Sequence, residues 1–540
     1  MRVLAGAGLV LCLLLSAAHA EGWRLVKDRW SAEDEAGFGR FVAALGESKC
    51  SSSQSCLRDA ANPYRGSDKR FLDIDTDCAK WPYLLRAYYA WKNGLPFSYV
   101  DAIAGSGDDR HSKGGNRPVG RHDFIDRGSG IDGARAVREV IDTVSSATYR
   151  SDAAAEKGVL SDFYSPALGP GSIRPGTVIY DTNAHVGIVY RVDADGRIYY
   201  MDAHPDFTIT RSVYGPQFGQ SPAKLGGGLK NWRPVELKGA KPDGEGHLIG
   251  GHMVLAPNSG IADFSLVQYT GTEPNPQADV KKARFVYDGE EMGLYAYVRT
   301  VMSGGKTQYN PLHELRAGMK SLCRDLQDRA NAVELAVSKG IPDESHPARL
   351  PQDIYDAGED GWWESYATPA RDARLRTGFA QFYRHMEEMI GLWVHRDPRR
   401  HRRCADLRGD LLKAYDAQSA ACNLTYLNSD RQPVPLDFDA VAKRLYAISY
   451  DPYDCVELRW GASGAERATC RLSPRKLRWY EAQQRFRSDA GRKSGTAYDL
   501  EELEALGGKG IAPPPPVDLR ALIEAMPYQD PLKPMHPVGR

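Results

Sequence analysis

His185-Val186-Gly187-Ile188-Val189-Tyr190-Arg191-Val192, Asp193-Ala194-Asp195-Gly196 and Arg197-Ile198-Tyr199-Tyr200-Met201-Asp202-Ala203-His204 decide how this chain is read. Two runs rich in β-branched and aromatic residues flank an Asp/Gly turn, the pattern of an antiparallel hairpin. If the turn sets Val192 opposite Arg197, His185 faces His204 and Gly187 faces Asp202. The three polar side chains then leave one face of the sheet, with Asp202 diagonal to His185 and within reach of it. A turn of the other parity flips the second strand and separates them. Gly187 leaves room beside His185 for a substrate or a helix.

Upstream stands Asp77-Cys78-Ala79-Lys80-Trp81-Pro82-Tyr83-Leu84-Leu85, which reads as a helix start. Asp75 or Thr76 can cap it, placing Cys78 in the first turn, where free N–H groups and the helix dipole favour a thiolate. Pro82 is early enough to be tolerated, and Trp81, Leu85 and Tyr88 make a buried stripe. A thiol at a helix start, an imidazole on a strand and a carboxylate on the next strand are the parts of a nucleophilic thiol site. In that reading Cys78 attacks, His185 is the base and Asp202 fixes the imidazole. His204 and Asp77 are candidate polar helpers, and His204 reads equally well as a simple neighbour.

These residues resemble a known family. Pro175-Gly176-Thr177-Val178-Ile179-Tyr180 followed by His185-Val186-Gly187-Ile188-Val189 is similar to the NlpC-type and CHAP branches of the papain-like superfamily, and Asp77-Cys78 matches the NlpC-type start. The chain departs from them at Ala79-Lys80-Trp81, where small residues are usual, and at Thr177, where an acid is usual. The transglutaminase-like branch is matched instead by Leu84-Leu85-Arg86-Ala87, Gly94-Leu95-Pro96-Phe97 and Tyr200-Met201-Asp202-Ala203. The resemblance spans residues 60–235. It implies a papain-like α+β domain, a cysteine helix packed on an antiparallel sheet, and a cysteine peptidase or amidase using Cys78, His185 and Asp202 without a cofactor or metal. Peptidoglycan-type peptides are the implied substrate class. Acyl transfer to an amine and an inactive envelope-binding or scaffold protein are the two alternatives.

Around this core the chain divides into segments. Residues 1–20 combine Arg2, a short apolar run and Ala18-His19-Ala20, the pattern of a secretory signal. An exported protein, periplasmic or extracellular, is therefore expected from Glu21 onward, with no membrane insertion. Seventy basic and seventy acidic residues give no net charge, which disfavours nucleic acid as a partner. Residues 21–258 make the catalytic domain. Within it 98–172, rich in Gly, Asp, Ser and Arg, reads as a long insertion beside the cleft, interrupted by a helix at 134–144. Residues 259–311 connect to a helical domain over 312–510, and a Pro-rich tail covers 511–540.

The helical domain is read from spacing. Leu312, Leu315, Met319, Leu322, Leu326, Val333 and Val337 recur at helical intervals and stop at Gly340 and Pro342. Leu375, Phe379, Phe382, Met386, Met389 and Trp393 repeat the pattern, and a third helix carries Cys404, Leu407, Leu411, Tyr415 and Cys422. Export permits disulfides. Cys50 pairs with Cys56 across a polar loop, and Cys455 with Cys470. Cys404 and Cys422 would stand about 27 Å apart on one helix, so each needs a partner elsewhere, Cys323 being one candidate. His247 and His252 read as loop and strand-end residues rather than metal ligands. Trp362-Trp363 reads as core rather than a sugar platform, and the basic run from His395 to Arg403 as a solvated junction.

Overall fold

The computed structural model describes residues 22–68, 72–215, 218, 220–273, 283–307, 310–354, 362–363, 366, 369–394, 406–487, 495–508 and 513–527. The expected signal at 1–20, Cys404 and the basic run at 395–403 lie outside them, as does half of the tail.

The chain is α+β. Its principal sheet has six strands: β1 (Phe163–Tyr164), β2 (Val178–Asp181), β3 (His185–Val192), β4 (Ile198–Ala203), β5 (Ile209–Val213) and β6 (Gly228–Trp232). Every neighbour is antiparallel, in the spatial order β1-β6-β2-β3-β4-β5. Both faces are buried, which is why β2, β3 and β4 read as near-continuous apolar runs. Val178, Tyr180, Val186, Ile188 and Met201 face one core, which includes Phe38 and Val42 of α1 (Ala32–Glu47) and Leu84 and Tyr88 of α2 (Lys80–Lys92). Ile179, Val189, Ile198, Tyr200 and Leu229 face a second core on the other side.

Residues 98–172 are a packed module, not an open insertion. Strands Ser98–Ala104 and Arg117–Asp123 pair as a bulged hairpin, and the expected helix is α3 (Gly133–Thr143). The hairpin is missed in the sequence because glycines and charges dominate its exposed connection, while within its strands only Tyr99, Val100 and Pro118 are buried. Residues 259–311 also pack rather than simply connect. Phe285, together with Leu294, Val298 and Met302 of α4 (Leu294–Met302), closes the second core over the sheet.

The helical half follows the apolar spacing. Helices α5 (Pro311–Ser338), α6 (Pro369–Val394) and α7 (Leu407–Ala421) bury Leu315, Met319, Leu326, Phe379, Met386 and Leu411 together. Arg329 and Asp372 cross this core as a buried pair, Nε to Oδ1 at 2.9 Å and Nη2 to Oδ2 at 3.1 Å. Nη2 also donates to the carbonyls of Ser449 and Arg459, so the charge is hydrogen-bonded as well as paired. Cys323 bonds Cys422, tying α5 to the end of α7, while Cys50–Cys56 and Cys455–Cys470 pair as expected. Trp363 is core, packed with Tyr450. No helix of the described residues is long and apolar enough to cross a membrane.

Candidate active site

The β3–β4 hairpin reaches the expected site register by a route the sequence does not announce. Val192 faces Ile198 rather than Arg197, which by parity would turn Asp202 away from His185. A bulge at Tyr190 restores the pairing: Arg191 faces Tyr199, Val189 faces Tyr200, and Ile188 faces Met201. Tyr190 lies against Gly46 of α1, where any Cβ would overlap its ring. Gly187 serves packing, not an open space. A Cβ there would stand 2.7 Å from Cδ2 of Tyr200, so the glycine makes room for that ring.

His185 and Asp202 are joined, Nε2 to Oδ2 at 2.6 Å, both buried. The other oxygen of Asp202 accepts from the Thr210 hydroxyl at 2.6 Å, and His204 Nε2 lies 2.8 Å from the same hydroxyl oxygen. A hydroxyl has one proton to give. With Thr210 donating to Asp202, His204 must carry its proton on Nε2 and donate to Thr210. By the same reasoning His185 donates from Nε2, which leaves its Nδ1 lone pair as the basic atom.

Charge keeps the pair in that state. Burial, reinforced by the guanidinium of Arg374, pushes His185 below its ordinary value against the opposing pull of Asp202. Burial pushes Asp202 up, but the charges of His204 and His185, the His185 hydrogen bond and Arg374 outweigh it and hold the carboxyl below its usual range. Burial and Arg371 push His204 well down. The site therefore holds a neutral imidazole against an ionised carboxylate near neutral pH.

Cys78 opens its helix differently from the expectation. The helix is regular only from Lys80, so Cys78 stands in the turn that leads into it rather than in its first turn. Asp77, not Asp75 or Thr76, braces that turn: its carboxylate accepts from the Ala79 N–H at 3.0 Å and the Lys80 N–H at 3.1 Å, and its carbonyl accepts from Trp81 N–H. Asp75 accepts instead from Gln54, and Thr76 is fully buried. The half-buried Cys78 thiol donates to the Ala184 carbonyl at 3.7 Å. Ala184 sits at φ +65° in the β2–β3 turn, directly before His185. Tyr149 donates to the Ala79 carbonyl at 2.6 Å and Arg150 to the Thr182 carbonyl at 2.8 Å, so the 98–172 module borders the thiol.

The structure thus joins His185, Asp202 and His204, and brings Cys78 to the residue preceding His185. The two parts approach from different sides of the sheet. Val186 points toward the α2 core against which Cys78 packs, and strand alternation sends His185 to the other face. On that face lies a cavity of about 630 Å³, closed by α5 and α6, with Asp202, His204, Asp325, Asp328, Arg371 and Arg374 in its wall. Sequence reasoning missed the helical contribution because nothing in an apolar repeat tells which polar residues of a helix meet a distant sheet. Thr210 was missed too, although the alternation of β5 that pairs it with Asp202 is a usable signal.

Asp243, Glu245 and His247 bring potential ligand atoms within 4.8 Å, but Arg24 already pairs with Asp243 at 2.8 Å. Matched against protein-family models, curated proteins and solved structures, the chain finds no counterpart in any of the three.

Proposed function

We propose that this chain is an exported cysteine hydrolase of papain-like architecture that cleaves an amide, with peptidoglycan-type peptides as its substrate class. The observation that carries the reading is the buried His185–Asp202 pair, 2.6 Å apart on adjacent strands, with Cys78 in the turn that leads into α2, against the carbonyl that precedes His185. Disulfides form in oxidising compartments, which supports export.

In this mechanism Nδ1 of His185 takes the thiol proton and the Cys78 sulfur attacks the substrate carbonyl. The backbone N–H of Cys78 donates to the developing oxyanion. The tetrahedral intermediate collapses to a thioester as His185 returns the proton to the leaving amine. A water, deprotonated by the same nitrogen, then releases the acid and restores the thiol. Because the imidazole and thiol start on different sides of the β2–β3 turn, the reaction requires them to close past Ala184.

That separation favours a second reading, a non-catalytic binding protein whose ligand occupies the cavity on the far face. Replacing Cys78 with Ala distinguishes the two. Amide turnover of peptidoglycan fragments should fall at least about 10³-fold, and the iodoacetamide label on the peptide that carries position 78 should vanish at pH 7, with circular dichroism unchanged. Turnover that survives in Cys78→Ala refutes the thiol mechanism.

A further inference from the structure

The cavity between the sheet and helices α5 and α6 is built from opposed charges whose hydrogen bonds are incomplete. On the α6 wall, Arg371 is 7% exposed and gives Nη2 to Asp206 and Thr208, while its Nε and Nη1 have no hydrogen-bond partner. Arg374 lines the same wall, and the buried Oε1 of Gln381 is also without a partner. On the α5 wall, Asp325 and Asp328 lie one turn apart, and Oδ2 of Asp328 is buried without a partner. Arg371 pairs with Asp206 rather than with Asp328. Between the walls, Tyr200, Tyr214, Leu322 and Phe382 supply apolar surface.

Buried polar atoms are rarely left unmet, and each costs free energy until something supplies the missing bond. Here unmet donors and unmet acceptors line one partly open cavity of the size that holds a small organic molecule. An anion alone would leave the aspartates unmet, and a cation alone would leave Arg371. Among the described residues, no three of the cavity's acids and histidines bring ligand atoms within 4.8 Å of one another, which disfavours a metal ion.

We propose that this cavity binds a small zwitterion with an apolar body, a free amino acid or dipeptide, its carboxylate on Arg371 and Arg374 and its ammonium group on Asp325 and Asp328. Burial, helped by Asp202, pushes Asp328 up to about 6 against the pull of Arg371, as expected of a carboxylate awaiting a cation. Cys78 is not among the lining residues, whereas Asp202 and His204 are, so the cavity shares its wall with the His185–Asp202 pair but not with the thiol.

The test uses the full chain and thermal shift, followed by calorimetry, with the twenty free amino acids and a panel of dipeptides such as Ala-Phe. Each probe is paired with its N-acetylated and its C-terminally amidated form. At least one zwitterion should bind, and blocking either end should weaken it at least tenfold. Asp328→Asn should erase the penalty for N-acetylation, and Arg374→Met should reduce the penalty for amidation. Arg371→Met should weaken every probe, with Arg374→Met standing in if that variant does not fold. Cys78→Ala should bind as the parent does, which separates this site from the hydrolase reading. The proposal is overturned if no zwitterion exceeds its blocked forms, or if Mg²⁺ or Ca²⁺ alone gives the stabilisation.

Discussion

Asp202 does two tasks with two oxygens. One holds His185 in the tautomer that bares Nδ1; the other anchors Thr210, which in turn fixes His204. Arg374, reaching over from the helical half, is one of the groups that keep His185 low. Removing that cation in Arg374→Met should therefore raise the His185 value. The imidazole would lose its base form at a higher pH, so the acid limb of alkylation or turnover should move upward. An imidazole NMR titration that does not move would exclude Arg374 from this role. Asp328 gives a second, quantitative expectation. Its folded value of about 6 lies above the unfolded carboxyl value near 3.9, so the folded state binds the extra proton. The cost to stability appears as pH rises above about 4 and is complete above about 6. Asp328→Asn should equal the parent at pH 4 and exceed it by about 1–3 kcal/mol at pH 8 in urea denaturation. Equal stability at both pH values would show that Asp328 carries no such burden.

The hairpin shows how an element can be legible while its register is not. The strands, the turn and the shared face of His185 and Asp202 follow from apolar alternation, and the ladder near the site runs as that alternation requires. The connection does not: Val192 faces Ile198, and only the bulge at Tyr190 brings Asp202 back to the His185 side. A bulge leaves little trace in sequence because it is selected by what it packs against, here the bare backbone of Gly46 on another element. Gly46→Ala should push Tyr190 out of its seat and cost about 1–3 kcal/mol, as overpacking does. It should also loosen the His185–Asp202 contact, seen as faster amide exchange in β3 and β4. A variant within about 0.5 kcal/mol of the parent, with exchange unchanged, would show that the bulge does not depend on this contact. The long helices are readable because five to seven apolar positions in each agree with one period. The Asp77 brace was not foreseen, since Asp75, Thr76 and Asp77 can all accept from a helix start and only the chain's path chooses among them.

At the scale of the molecule, the two halves are held together by charge as much as by apolar surface. Glu314, in the first turn of α5, receives Arg299 from α4 through two hydrogen bonds of 2.7 and 2.8 Å. It also receives Arg197 from the end of the hairpin connection at 2.8 Å and His385 from α6 at 3.0 Å. One carboxylate thus joins the sheet, α4, α5 and α6 at the rim of the cavity. Burial pushes Glu314 up, but His385, Arg299 and Arg197 outweigh it and hold the carboxyl well below its ordinary value. A lowered carboxyl contributes stability that is present above its unfolded value and is lost as pH falls through the folded one. Glu314→Ala removes the buried carboxylate that Arg197 and Arg299 share and leaves them only the more exposed Asp195. It should cost about 3–5 kcal/mol at pH 7, the range for breaking a buried pair from one side. The difference from the parent should shrink as pH falls below about 4, where Glu314 begins to be protonated in the unfolded chain, and go on shrinking toward the lower folded value. Hydrogen exchange should rise first in the segments that Glu314 joins, the hairpin connection, α4 and α6, while the Arg329–Asp372 core stays protected. Uniform loosening of both halves would instead mean that the junction has no stability of its own to lose.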